Sequence, residues 1–473
     1  MDTSLPINQP TPEIAKWHAR WRKNRTFIAG EDAVKACGEV YLPKMRADDG
    51  PQHYQRHLDN TPLYPAASKI ALGIEGLIFR APEQLSTDSA RAQLLSKSIT
   101  PRNHSLNNLA KAFVREKLTT NFTGLLADHP SKEGFSGLTG DTAQGDRKGY
   151  RPRIALYSGE SILEVTEGPV GLNHQLINVR LLENDGKRVR QLLINDDGFY
   201  EQRVYTVDTN GQFDSNRYTR AVPAVDGKPL TEIPFFLDTS EGGTCPTPSM
   251  IESTVDLNLA HYRLSGLLSN MTWMTSGPVV VISNFTRETR TLESGETVEI
   301  DPEWDFGANG VVEIKGEAVP HWFSFDPKNS DLLIKQLETI KTDLSTLGHS
   351  ILAPEKAAPE APETILLRRV AENATLAGFA DQASKTLEKA LQAWAHWIDE
   401  TPLTFTLNTD FQPAGISPAE HKELRDDWLN GAITHETYLY ALRDGEVISR
   451  LIDPAVEAER AKADTADRPT LAL

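Results

Sequence analysis

Pro246-Thr247-Pro248-Ser249-Met250-Ile251-Glu252 opens the stretch on which the rest of the chain is organised. Ser249 with Glu252 three positions later has the form of a capping box, so the sequence predicts a helix starting here and running to about Thr275 without an internal proline. At 1.5 Å per residue such a helix is on the order of 40 Å long. A second helix is predicted from near Asn329. Its apolar residues Leu333, Leu337, Ile340, Leu344 and Leu347 recur in steps of four and three, a heptad-like seam suited to packing along another long helix. A third, alanine-rich helix is predicted from about Thr364 to Trp397, with Gly378 as the place for a bend. Ala353 to Pro362 separates the second helix from the third, and its prolines 354, 359 and 362 rule out a continuous helix.

Outward from this centre, residues 277–328 carry three β-prone runs, Val279–Ile282, Thr297–Ile300 and Val311–Ile314. Residues 153–236 read as an antiparallel meander. Its runs at 162–165, 175–182, 190–194 and 200–207 are separated by the turn signals Asn184-Asp185-Gly186, Asp196-Asp197-Gly198 and Thr209-Asn210-Gly211. Helices are predicted over 12–24, 30–44 (ending in an extended Tyr41-Leu42-Pro43), 64–79 and 105–127. The last of these counts Leu106, Leu109, Phe113, Leu118 and Leu125 on its apolar face. Residues 130–150 read as a polar, glycine-rich loop, 403–407 as a strand after Pro402, and 417–450 as two helices joined at Asn430-Gly431. The stretch from Ala455 onward reads as a frayed or disordered tail. The fold class is α+β, with helices and strands segregated.

Composition narrows the function. The 473 residues include 39% apolar and 24% charged types and carry a net charge of −17. That charge argues against a broad basic face gripping DNA, but not against a channel through which DNA slides. Residues 1–130 are net +4, and the segment 277–328 is net −6. No run of 18 apolar residues suggests a membrane span, and the N-terminus has neither the basic start nor the apolar core of a secretory leader. Cys37 and Cys245 are read as two ordinary thiols. His53 and His57, four apart, have helical chelate spacing but lack an acidic third ligand, and a surface pair is the favoured reading. Trp17 and Trp21 share a face of a basic helix. Nucleic-acid contact or docking is the functional reading there, and packing on the chain's own domain the favoured one. No phosphate-binding loop, nucleophile elbow, zinc-protease motif or dinucleotide fingerprint is present. No catalytic residue, metal ligand or cofactor is therefore predicted, and the chain is read as not an enzyme.

Four phrases carry a resemblance: Gly38-Glu39-Val40-Tyr41-Leu42-Pro43, Ile233-Pro234-Phe235, Asp256-Leu257-Asn258-Leu259-Ala260-His261-Tyr262 and Leu407-Asn408-Thr409-Asp410-Phe411. In their order, spread over about residues 12–450, the chain resembles the portal (head-to-tail connector) proteins of tailed bacteriophages. The resemblance implies a ring-forming subunit, twelve to the ring, at one capsid vertex of the virion. It implies a wing (1–245), stem helices (246–276 and 329–350), a β-containing clip (277–328) and a channel loop (351–363). A long wing helix (364–398), a wing strand (399–416), crown helices (417–450) and a flexible tail (451–473) complete it. The implied partners are further copies of the chain, double-stranded DNA held non-specifically through phosphates, the terminase large subunit, neck or adaptor proteins, and the major capsid and scaffold proteins. Lys356 in the channel loop and Arg368 and Arg369 at the start of the long helix are the candidate DNA contacts. Solvated charges or subunit-interface salt bridges are the competing reading for them. The departure from the family is the short, proline-rich channel loop, which leaves its movement during packaging open. Two other classes stay open: another oligomeric virion protein, such as a scaffold or head-tail adaptor, and a hydrolase with a scattered site.

Overall fold

A computed structural model describes residues 6–47, 49–130, 143–170, 173–208, 211–225, 227–240, 242–276, 280–283, 289–292, 296–299, 311–314, 328–352, 362–398, 403–409, 411, 418–445, 447–449 and 452–467. The N-terminal part is helical: α1 (Pro12–Ala15), α2 (His18–Ala29), α3 (Glu31–Ala36), α4 (Pro51–Asn60) and α5 (Ala66–Ile78). After the short strand β1 (Gln84–Ser86) come α6 (Ala90–Ser96) and α7 (Leu106–Thr120). Both helices start where a serine side chain accepts an otherwise orphaned amide, Ser89 from Ala92 N and Ser105 from Asn108 N.

Here the structure corrects the sequence reading. The predicted helix over 105–127 ends at Thr120, because Asn121 adopts a left-handed conformation (φ 51°). The chain then becomes strand β2 (Phe122–Asp128), so Leu125 belongs to a strand. Residues 122–127 are all buried, and a continuously apolar run of this kind has no period that separates strand from helix. β2 is the middle strand of a three-stranded antiparallel sheet, between β3 (Arg153–Tyr157) and β11 (Phe235–Thr239). Gly124 permits this: a side chain there would place its Cβ 2.1 Å from Phe235 Cζ. Helix α8 (Ala143–Lys148) lies within the stretch read as loop, and residues 131–142 of that stretch lie outside the described residues.

The meander forms as predicted. Strands β4 (Ile162–Val170), β5 (Asn173–Glu183), β6 (Arg188–Ile194), β7 (Tyr200–Val207) and β8 (Phe213–Ala221) pair in sequence order. Asn184, Asp185 and Gly186 all take positive φ at the β5–β6 turn. The small strands β9 (Ala224–Val225) and β10 (Lys228–Pro229) lead into β11.

Helix α9 (Glu252–Ser276) follows, then four strands. β12 (Val280–Ser283) pairs in parallel with β15 (Val311–Ile314), and β13 (Thr289–Thr291) forms an antiparallel pair with β14 (Thr297–Glu299). Next come α10 (Lys328–Leu352) and α11 (Pro362–His396). Strand β16 (Thr404–Thr406) returns to pair with β1, so it joins residues more than 300 positions apart. The C-terminal part holds α12 (Pro418–Leu429), α13 (His435–Asp444) and α14 (Pro454–Asp467). α14 overturns the expectation of a frayed tail over most of its length. Asp453 accepts Ala455 N at its start, and Ala458 is buried where the helix packs on α13. Alanine favours helix strongly enough for this when one face finds a partner.

Two large apolar clusters hold the parts together. One joins α2, α3, α5, α7, α9 and α11, with Phe27, Ile74, Phe113, Tyr262, Leu387 and Trp394 among its members. The other lies between the three-stranded sheet and the meander, around Trp21, Phe122, Tyr157, Leu181 and Phe235.

Candidate functional site

The chain's most distinctive construction is the helix pair α9 and α10 with the strands between them. The lower part of α9 is bolted to the N-terminal domain by polar side chains. Ser249 and Glu252, read as a capping box, are engaged in tertiary bonds. Asn24 Nδ2 donates to Ser249 Oγ at 3.0 Å, and Arg20 Nε donates to the Glu252 carboxylate at 2.6 Å. One turn on, Lys23 pairs with Asp256. Asn258 works as a fork: its Oδ1 accepts Ala67 N at 3.0 Å and its Nδ2 donates to Tyr64 O at 2.9 Å, which fastens α9 to the entry of α5. Tyr262 is fully buried, and burial pushes its phenol up to about 12. Arg263 Nε holds Tyr41 O at 3.0 Å, and Tyr54 Oη holds Leu42 O at 2.9 Å. Gly266 lets α4 approach: a Cβ there would lie 2.9 Å from Leu42 and 3.0 Å from His57.

The quoted phrases thus turn out to be joints. Gly38–Pro43 and Asp256–Tyr262 meet each other's elements at α9. Phe235 of the second phrase covers Gly124. In the fourth, Leu407 N donates to Ser384 Oγ of α11 at 2.9 Å and Asn408 Nδ2 to Leu77 O of α5 at 3.1 Å. Asp410 lies outside the described residues.

On α10 the predicted seam faces inward. Leu337 and Leu344 are buried, and Leu333, Ile340 and Leu347 are partly buried. Gly348 meets Ile70 of α5. The cover runs out toward the strands. On α9 no residue from 267 to 273 is buried, and Leu267 is 40% exposed. At the start of α10, Leu332 and Ile334 are 58% and 41% exposed. A cleft of about 640 Å³ opens along the pair, lined by Tyr64, His261, Leu268, Trp273, Leu337 and Lys341. His261 sits 5.4 Å from the Tyr64 ring, and burial, with the Lys341 charge, lowers its pKa.

The long helix α11 is locked at mid-length. Lys117 of α7 and Asp238 of β11 form an ion pair in which both side chains are fully buried. Lys117 Nζ also donates to Gln382 Oε1 at 3.0 Å, and Gln382 Nε2 donates to Thr239 O. Burial lowers the Lys117 pKa despite its partner. Trp394 Nε1 donates to Pro152 O at 3.0 Å. Neither Lys117 nor Gln382 stands out in the sequence, since each is one polar residue in an ordinary helix.

Of the candidate DNA contacts, Lys356 lies outside the described residues. Arg368 and Arg369 fall within the first turns of α11. The basic stretch read as one helix over 12–24 is divided into α1 and α2 by a turn at Lys16 and Trp17, and it packs on its own domain. Trp21 is buried against Phe122, Arg20 lies over Trp17, and Arg25 pairs with Glu116 and Glu160. The histidine pair departs from the surface reading. His57 is buried against α9, and burial lowers its pKa, while His53 pairs with Asp49. Burial here comes from Gly266, which admits the ring, and nothing near His57 in sequence signals it. Among the described residues no group of three or more His, Cys, Asp or Glu is placed to hold a metal, and no helix is long and apolar enough to cross a membrane. Cys37 and Cys245 are both free thiols.

A family model described as a domain of unknown function (DUF4055) matches residues 251–398, the span from the start of α9 to the end of α11. No curated protein matches the chain. Among solved structures, the chain is similar to one described as the neck of an empty GTA particle computed with C6 symmetry. The identity is 11%, the match covers 86% of this chain and 98% of the other, and the TM-score is 0.37.

Proposed function

We propose that the chain is the subunit of a portal ring at the head-tail junction of a tailed-phage-like particle, passing double-stranded DNA and docking first the packaging motor and then neck proteins. The observation that carries the reading is the α9–strands–α10 unit. It is fastened at its base by Asn258, Arg263 and Glu252, and leaves Leu267, Leu332 and Ile334 uncovered toward its far end. Neighbouring copies around a ring would cover such residues, which a lone subunit exposes to water. In this reading the strands between α9 and α10 form the clip, and the segment between α10 and α11 faces the channel with Lys356, followed by Arg368 and Arg369. A copy number of twelve, the terminase and the capsid contacts belong to the same proposal. Native mass spectrometry with negative-stain imaging tests it, on the chain alone and co-expressed with the capsid and scaffold proteins of its particle. Closed rings of about a dozen subunits with an open channel are the expected result. A chain that stays unassembled in both settings overturns the reading.

A further inference from the structure

A second cleft, this one polar and of about 380 Å³, is lined by residues far along the chain from the α9–α10 unit. Its lining includes Ser98, Asn103, Asp146, Lys148, Arg151 and Arg153. Three of these are cations, and the one carboxylate, Asp146, is already engaged by Arg91 through two nitrogens at 3.2 and 3.1 Å. In a chain of net charge −17 this is an unusual concentration of positive charge.

The two guanidiniums are held by neutral oxygens. Arg151 Nη2 donates to Ser98 Oγ at 2.6 Å and Ser98 O at 3.2 Å. Arg153 Nη1 donates to Thr100 O at 2.9 Å and Pro101 O at 3.2 Å. Both converge on Asn103 Oδ1, Arg151 at 3.5 Å and Arg153 at 2.9 Å. Asn103 is placed for this by a left-handed backbone (φ 61°) closing the turn from Thr100, whose carbonyl accepts Asn103 N at 2.9 Å. Two like charges are therefore drawn to one oxygen, and among the described residues neither pairs with a carboxylate. Burial, with the neighbouring Arg151 charge second, lowers the Arg153 pKa. Arginines elsewhere in the chain, such as Arg25, Arg190 and Arg203, are matched with carboxylates. Each guanidinium keeps a terminal nitrogen outside these bonds, and Arg153 Nη2 lies beside Gly149, where the missing side chain leaves room.

We infer that this cleft is an oxyanion site for a phosphate group, gripped by Arg151 and Arg153 and rimmed by Lys148. A tetrahedral dianion accepts from several N–H donors at once and offsets the mutual repulsion of the two guanidiniums. The phosphate is either free, as in a nucleotide, or part of a DNA backbone; the chemistry is the same.

Calorimetric titration of the full-length chain with orthophosphate, at ionic strength held constant with chloride, tests the assignment. Saturable binding is expected. The double variant Arg151→Gln/Arg153→Gln should weaken it by about tenfold or more, the scale of a lost charge-assisted pair. Lys148 is exposed and makes no packing contribution, so Lys148→Gln keeps the wild-type melting temperature and weakens binding about threefold. It decides the matter if the double variant does not fold. Competition by a short DNA duplex identifies a backbone phosphate, and competition by a nucleotide alone identifies a small phosphorylated ligand. No saturable phosphate binding by the wild type, or equal binding by Lys148→Gln and the wild type, overturns the inference. So does competition by an acidic peptide where phosphate has no effect.

Discussion

Removing Asp238 should destabilise the protein far more than removing Asp238 and Lys117 together. In the folded chain both side chains are fully buried, and Lys117 Nζ has Asp238, Gln382 Oε1 and the Phe379 ring around it. Asp238→Ala leaves an ammonium group fully buried with no counter-charge among the described residues. Breaking one side of a buried pair costs about 3–5 kcal/mol. The lysine can escape part of that by giving up its proton, toward which burial already lowers its pKa. The double variant Lys117→Met/Asp238→Leu removes both charges and keeps the volume. Its remaining cost is Gln382 Oε1 deprived of a donor, about 1 kcal/mol. The double variant should therefore be about 2–4 kcal/mol more stable than Asp238→Ala. Urea unfolding of the wild type, both single variants and the double variant, followed by circular dichroism, measures it. Because Gln382 belongs to α11, the same loss should loosen the long helix on its sheet and raise amide exchange around residues 376–391. Additive effects of the single variants, or an Asp238→Ala cost below about 1 kcal/mol, would refute the idea that this pair registers α11.

Gly124→Ala should cost about 1–3 kcal/mol by overpacking against Phe235, and Phe235→Leu in the same chain should recover part of it in thermal melts. Acid should weaken the fold through its histidines. Burial lowers the pKa of His57, His261 and His18 from the ordinary 6.5, so the unfolded chain binds more protons as pH falls through that value. Stability is then complete above about pH 7 and declines below pH 6.5, and His57→Gln should flatten the decline in urea titrations at pH 7.5 and pH 5.5. Leu332→Asp with Ile334→Asp should leave the melting temperature of the isolated chain within about 1 °C, since both residues are exposed, while abolishing ring formation. Lys356→Gln should alter DNA packaging or retention with rings still formed; packaging at the wild-type level removes Lys356 from the channel.

Much of the architecture is readable because its signals are local. The Asn184-Asp185-Gly186 turn takes the positive φ values its residue types favour, and the meander follows. The seam from Leu333 to Leu347 finds the inner face of α10 because helical periodicity is a property of neighbours in sequence. Where a stretch is apolar throughout, as at 122–127, period carries no information, and the left-handed Asn121 decides the change to strand. His57 shows the limit of spacing. Four residues from His53 it looks like half of a surface pair, yet the absent side chain of Gly266 admits its ring to the core.

The sequence by itself determined the long helices with strands between them, the meander and the acidic balance, since these rest on propensity, period and charge. Only the tertiary structure decided the uses of the polar side chains. Ser249 and Glu252 serve Asn24 and Arg20, Asn258 clasps α5, Lys117 meets Asp238 across 121 positions, and Arg151 and Arg153 converge on Asn103. A hydrogen bond or ion pair depends on which atoms the fold brings within about 3 Å, and separation along the chain does not encode that distance.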